Sequence, residues 1–152
     1  MPEFINMTIG DWLDMKADQY PDRECAVHPL EGLRFTTAQF RDEVNRVARG
    51  LMALGVKKGD HVAIWATNYP QWVQTQFATA KIGAVLVTVN TNYKKYELEY
   101  LLRQSDSTVL IMMGGTKDNN YVDHIYAVCP ELSNSEPGAL DCKKLPYLKT
   151  VI

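Results

Sequence analysis

Three apolar runs recur along the middle of the chain, at residues 62–66, 84–89 and 108–113. Almost unbroken apolar runs of this length are typical of strands that are covered on both faces. Their starts are separated by about 23 residues, the length that a strand, a crossover helix and two short loops occupy. The spacing therefore predicts parallel strands joined by crossover helices.

The second run is predicted to supply the core of a central strand, through Val85, Leu86 and Val87. A last apolar run occupies residues 147–152. For the crossover helix between the first two runs, Asn68 is expected to be the N-cap, with Pro70 in the first turn, where a missing N–H costs nothing.

Capping signals mark two helices before these runs. Thr8 followed by Asp11 predicts the start of one helix, and Thr36 followed by Gln39 predicts the start of another. The second helix is expected to end at Gly55. Its apolar stripe consists of Phe40, Val44, Val47, Ala48 and Leu51.

The segment between these two helices, residues 24–37, predicts two short strands around a Pro/Gly turn. We therefore predict an α/β fold for residues 1–152 as a single domain: a mostly parallel sheet with crossover helices plus a short N-terminal antiparallel hairpin.

The charge balance excludes some classes of partner. Lysine and arginine number 16 against 18 acidic residues, so no basic field is available to attract nucleic acid or an anionic membrane. No apolar run reaches the length of a membrane span, and the first residues lack the pattern of a signal peptide. A cytoplasmic protein with neither a nucleic-acid partner nor a membrane span is expected.

The cysteines and histidines give no pattern of a metal site. Cys25, Cys129 and Cys142 are an odd number at wide spacing, which favours reduced thiols over a disulfide framework or a zinc site. The three histidines lie on different predicted elements without a cysteine or carboxylate at ligand spacing. No metal ligand is therefore expected.

Two segments are candidates for ligand binding. Gly114 and Gly115 follow a predicted strand and precede a helix, expected at about residues 118–128, that Thr116 or Asp118 would cap; the position suits an anion, and Lys117 adds a charge. The segment matches neither the dinucleotide fingerprint nor the P-loop, so a simple tight turn is the alternative. Residues 88–95 lie at the carboxyl end of the neighbouring strand, where open α/β sheets bind ligands, and a solvated loop is the alternative there.

Several motifs together resemble one family. They are "TTAQF" at residues 36–40, "AKIGAVLVTVN" at residues 80–90 and "VNTNYKKYELEYLLRQSD" at residues 89–106. These motifs resemble the N-terminal subdomain of the adenylate-forming (AMP-binding) synthetases, most closely the fatty acyl-CoA synthetases. The resemblance extends from about Thr8 to the last residue.

The resemblance implies an ATP-dependent reaction that converts a carboxylic acid to an acyl-adenylate and transfers the acyl group to CoA, with Mg²⁺ assisting. In this family the catalytic groups lie downstream of the matched region. The resemblance therefore implies that residues 1–152 are the N-terminal portion of a larger ligase. Alone, this portion would lack catalytic residues and activity and would hold none of these cofactors tightly.

The resemblance also places two candidate segments against CoA. Asn90, Thr91 and Asn92 would lie beside its pantetheine, and Gly114, Gly115 and Lys117 would lie near its 3′-phosphate. The partners would be a fatty acid, ATP and CoA, with a homo-oligomer left open. The alternative function is a stand-alone module that binds CoA or a nucleotide, or that dimerises, without catalysis.

Overall fold

A four-stranded parallel sheet lies at the centre of the computed structural model, which describes residues 5–136 and 138–152. In chain order the elements are α1 (Ile9–Gln19), β1 (Glu24–His28), β2 (Leu33–Thr36), α2 (Thr37–Ala53), β3 (His61–Trp65), α3 (Pro70–Ile82), β4 (Val85–Thr88), α4 (Lys95–Gln104), β5 (Ser107–Met112), β6 (Gly115–Thr116), β7 (Asn119–Asn120), α5 (Tyr121–Val128), a 3-10 helix (Pro130–Asn134) and β8 (Thr150–Val151). The order across the sheet is β4, β3, β5, β8, and every neighbouring pair is parallel. The predicted α/β fold with parallel strands is confirmed.

The predicted capping signals form the expected hydrogen bonds. The Thr8 hydroxyl accepts from the backbone N–H of Asp11 at 3.1 Å, at the start of α1. At the start of α2, the Thr36 hydroxyl accepts from the Gln39 N–H at 3.3 Å, and the Gln39 side chain accepts from the Thr36 N–H at 3.0 Å. The helix ends before Gly55, which has a φ of 91°. The N-terminal hairpin is also confirmed, because β1 and β2 pair antiparallel.

Helices cover both faces of the sheet. One face packs against α1, α2 and α3. The buried residues of this layer, from the helices and the sheet together, are Leu13, Phe40, Val44, Ala48, Leu51, Val56, Val62, Ala78 and Val109. The other face packs mainly against α4 and α5, around Ala63, Trp65, Leu98, Leu102, Leu110, Tyr121, Ile125 and Val128. The apolar stripe predicted on α2 therefore faces the core, with Val47 only partly buried.

The predicted N-cap of α3 is wrong. The cap residue is Tyr69, it makes no side-chain capping hydrogen bond, and Asn68 lies one residue too early. Pro70 occupies the first turn as predicted, since its ring fixes a helical φ and it has no N–H to leave unpaired. The helix start is therefore set by the proline rather than by a polar cap.

The prediction that Val85, Leu86 and Val87 form a central-strand core is also wrong. Within the described residues β4 has one neighbour, β3, and lies at the edge of the sheet. Val85 is 46% exposed, and Leu86 and Val87 are only half-buried. An apolar run predicts a strand well, but it does not reveal which position in the sheet the strand takes.

Among the residues that the structure describes, no helix combines the length and the apolar character that crossing a bilayer would require.

Candidate functional site

The two candidate segments lie at the same edge of the sheet. Asn90, Thr91 and Asn92 follow β4, and Gly114 and Gly115 follow β5. The sheet order places β3 between these strands, so they are not neighbours as the sequence analysis expected. Because all three strands are parallel, the two segments meet across the carboxyl end of β3.

Trp65, the last residue of β3, lies under both segments. Its side chain is fully buried, and its indole N–H donates to the backbone oxygen of Asn90 at 3.0 Å. Its ring stacks on Tyr121 with the centroids 3.8 Å apart and the planes within 7°. Tyr121 in turn donates its hydroxyl to the Thr91 oxygen at 2.9 Å. Burial raises the pKa of this phenol, so the hydroxyl keeps the proton that it donates.

Asn119 joins the two segments directly. Its amide nitrogen donates to the backbone oxygens of Thr91 and Tyr93, both at 2.9 Å. Its amide oxygen accepts from the Lys94 ammonium at 2.9 Å and lies 2.8 Å from Nε2 of His124. The side chain is buried at 5% exposure, and its polar atoms are thereby satisfied. Asn119 thus fixes the conformation of the loop after β4.

The loop after β4 forms a closed turn. The Asn90 side-chain oxygen accepts from the Asn92 N–H at 2.9 Å, and the Asn90 backbone oxygen accepts from the Tyr93 N–H at 3.0 Å. The side chains of Asn90 and Asn92 are exposed, whereas Thr91 is half-buried and its backbone oxygen is already occupied. Asn92 is therefore the amide side chain that this turn presents most freely.

The segment after β5 is a hairpin and not the expected helix start. β6 and β7 pair antiparallel around a turn at Lys117 and Asp118. The helix begins later, at Tyr121, and its cap is Asn120, whose side chain accepts from the Asp123 N–H at 3.3 Å. The prediction that Thr116 or Asp118 caps this helix is therefore wrong.

Gly115 is the physical reason for the hairpin. Its φ is 142°, which L side chains rarely adopt, and a Cβ there would overlap the backbone oxygen of Asn119. Gly114 has no neighbouring atom within contact distance of such a Cβ and has no positive φ. The two adjacent glycines therefore have different roles: Gly115 closes the hairpin, and Gly114 leaves open space beside it.

The hairpin borders an open cleft of about 900 Å³, and Tyr69 also contributes to its lining. Lys117 and Asp118 are both exposed in its lining. A second cation, Lys94, is bound to the hairpin through the backbone oxygen of Asp118 at 3.3 Å. Among the residues that the structure describes, the cleft therefore offers one free ammonium group, that of Lys117, beside a small glycine, and an anionic group can approach such a surface.

Trp65, Asn119 and Tyr121 were not predicted as parts of the site, and Lys94 was not singled out within the candidate segment at residues 88–95. The available signals were an aromatic residue at the end of a predicted strand and an Asn-Asn pair near the start of the helix predicted at about residues 118–128. Neither reveals its partners, because each hydrogen bond joins segments that are distant in sequence.

Comparisons with known proteins give a consistent result. The family model described as "AMP-binding enzyme" matches residues 13–147. A protein of Bacillus subtilis (strain 168) named as an acyl-CoA synthetase, YngI, is 51% identical over 152 residues, which are 100% of this chain and 28% of that protein. The mitochondrial medium-chain acyl-CoA ligase ACSF2 of Mus musculus is 42% identical over 148 residues, which are 97% of this chain and 24% of that protein.

A solved structure, the N-terminal domain of FACL13 from Mycobacterium tuberculosis, has a TM-score of 0.79 and 29% identity, and the match covers 96% of this chain and 33% of that one. The chain thus spans about a quarter of the length of the curated relatives that it matches, in their N-terminal part. The predicted resemblance is confirmed, and the chain belongs to the AMP-binding enzyme family.

Proposed function

We propose that the protein that carries this chain is an ATP-dependent, AMP-forming acyl-CoA synthetase for a medium- or long-chain fatty acid. The supporting observation is the 51% identity, along the whole chain, to a relative named as an acyl-CoA synthetase. In this reaction a carboxylate oxygen attacks the α-phosphorus of ATP, forms the acyl-adenylate and releases pyrophosphate. The CoA thiol then attacks the acyl carbon and loses its proton, and AMP leaves.

We propose further that this chain supplies part of the CoA site. Asn92 and the turn around Asn90 and Thr91 would lie along the pantetheine, and Lys117 would lie near the 3′-phosphate, with Gly114 and Gly115 giving the ligand room to approach. The open cleft beside the hairpin and the exposed ammonium of Lys117 support this assignment. The hydrogen bond from Asn119 to Thr91 would keep the hairpin and the loop after β4 in a fixed relative position.

The magnesium that such a reaction uses does not fit the described residues. Their one close group of three histidine, cysteine or carboxylate side chains contains two thiols, whereas Mg²⁺ prefers oxygen ligands. We therefore derive no step through magnesium from this chain, and we assign Mg²⁺ and the ATP triphosphate to other parts of the protein.

The test is an assay of the intact protein with ATP, CoA and a panel of short, medium and long saturated acids. We expect acid-dependent release of pyrophosphate and formation of the matching acyl-CoA. CoA retention in equilibrium dialysis without pyrophosphate release from any acid would contradict the proposal and favour the alternative, a binding module without catalysis. Self-association of such a protein would favour a dimerisation module.

A cytoplasmic location and a homo-oligomer stay predictions. The mouse relative is named as mitochondrial, so location is best tested directly, by fractionation of the source cells. Sedimentation of the intact protein at several concentrations tests the oligomeric state.

A further inference from the structure

Two of the three cysteines meet in the folded chain, together with a carboxylate. Cys129 follows the last residue of α5, Glu131 lies in the 3-10 helix, and Cys142 lies in the segment that leads to β8. One Sγ from each cysteine and one carboxylate oxygen all lie within 4.8 Å of one another. The sequence spacing suggested unrelated thiols, but the fold brings this pair together and leaves Cys25 exposed elsewhere.

The carboxylate in this cluster has an oxygen without a partner. Oε2 of Glu131 is buried and has no N–H or O–H donor within the described residues, so that the groups beside the carboxylate are the weakly donating thiols of Cys129 and Cys142, whereas Oε1 accepts from the Lys143 N–H at 3.4 Å. A buried carboxylate oxygen that lacks a donor is unfavourable, because it has given up water without replacement. A cation beside this oxygen would remove the penalty.

We propose that Cys129, Glu131 and Cys142 form a binding site for a borderline-soft divalent cation of the zinc class. Two thiolates and one carboxylate are a ligand set that zinc accepts and that magnesium and calcium do not. Two sulfurs on one tetrahedral zinc lie roughly 3.8 Å apart, given Zn–S bonds of about 2.3 Å. A separation of at most 4.8 Å between the two sulfurs therefore needs a contraction of about 1 Å at most.

The balance of charge and protons is simple. Each metal–sulfur bond replaces an S–H bond, so two protons pass to the solvent when the ion binds. Two thiolates, one carboxylate and a divalent ion leave one net negative charge. The three side chains occupy three positions of a tetrahedron and leave the fourth for a further ligand.

Backbone hydrogen bonds hold the ligands in place. The Cys129 N–H donates to Ile125 at 2.8 Å, and the Cys142 oxygen accepts from Leu145 at 3.1 Å. The backbone oxygen of Glu131 accepts from the Ser135 hydroxyl at 2.7 Å. Both cysteines are at most 1% exposed, so the ion would enter as the chain folds. Once bound, it would join the end of α5 to the segment before β8.

The test measures metal content and is independent of ligase activity. The intact protein, without a metal-affinity tag, is produced in zinc-supplemented medium and its zinc per chain is determined. We expect about one equivalent more in the wild type than in Cys142→Ser. The matched control Cys25→Ser alters the exposed cysteine outside the cluster and should keep the full amount.

Cobalt substitution provides a second readout that does not require a cysteine variant to fold. Wild-type protein refolded with Co²⁺ should show thiolate-to-cobalt charge-transfer absorption, and the isosteric variant Glu131→Gln should shift the visible bands and bind Co²⁺ at least tenfold more weakly. Equal zinc in wild type and Cys142→Ser, no charge-transfer absorption in the refolded wild type, or a Cys129–Cys142 disulfide in the unreduced protein would each overturn the proposal.

Discussion

Gly114 and Gly115 show how two identical neighbouring residues can have different functions. Gly115→Ala should lower the free energy of unfolding by about 1–3 kcal/mol, because the alanine would have to adopt a strained φ and its Cβ would overlap the backbone oxygen of Asn119. Gly114→Ala adds a Cβ in open space and should change the free energy of unfolding by less than about 0.5 kcal/mol. Urea denaturation of the two variants checks this, and equal midpoints would contradict the different roles.

Lys117 is the residue at which the proposed CoA site can be tested most directly. An exposed contact between an ammonium and a phosphate contributes on the order of 1 kcal/mol and is screened by salt. In the intact enzyme, Lys117→Ala should therefore raise the KM for CoA about fivefold and leave the adenylation half-reaction unchanged.

Two controls separate this effect from a general loss of charge. Lys57→Ala removes an exposed lysine that precedes β3 and therefore lies at the amino ends of the strands, away from the candidate site. This variant should leave the KM for CoA unchanged. Dephospho-CoA lacks the 3′-phosphate and should not distinguish Lys117→Ala from wild type. If it does distinguish them, or if adenylation is lost, Lys117 does not contact that phosphate.

At the scale of elements, α2 offers a matched pair of adjacent positions. Leu51 is 3% exposed and packs on the sheet, whereas Met52 beside it is 60% exposed. Leu51→Ala should cost about 2–5 kcal/mol of stability, since it removes buried contacts and leaves a cavity. Met52→Ala should cost less than about 0.5 kcal/mol. Thermal or urea unfolding of both variants tests which face of α2 is buried.

The loop after β4 depends on a residue that the sequence did not identify. Asn119→Ala removes both donors to Thr91 and Tyr93. We expect faster hydrogen exchange at the Tyr93 amide, which closes the turn onto Asn90, by at least tenfold. Asn68→Ala is the control, because Asn68 is exposed and does not cap α3. Unchanged protection at Tyr93 would show that the turn is stable without Asn119.

Local signals account for the elements that were predicted correctly. An apolar run or a capping box is read within a few residues, and β3, β5 and the starts of α1 and α2 follow from such patterns. The hairpin β6–β7 was missed because each strand has two residues, too few for a period, and because its first strand depends on the positive φ of Gly115. The edge position of β4 was missed because it depends on which strands pair.

At the scale of the whole molecule, the candidate sites form only when segments that are distant in sequence pair or pack together. The sequence correctly indicated that the segments after β4 and β5 both lie at the carboxyl ends of parallel strands, whereas ligand binding at these ends stays a prediction. Placing β3 between them, with Trp65 beneath both, required the sheet order. The same holds for Cys129 and Cys142, which come together only when the segment before β8 packs beside α5.

The proposal that the ATP triphosphate binds to other parts of the protein gives the last prediction. Residues 1–152 alone should not release pyrophosphate from ATP in the presence of fatty acids. Stabilising the charge on a transferring phosphoryl group needs several positioned donors and cations, each contributing on the order of 3 kcal/mol. The cleft in the described residues presents a single free ammonium, that of Lys117, since Lys94 is bound to the hairpin. The measurement compares residues 1–152, checked for native circular dichroism, with the intact protein and a heat-killed control. Acid-dependent pyrophosphate release by the short chain above that control would show that its own residues suffice for adenylation.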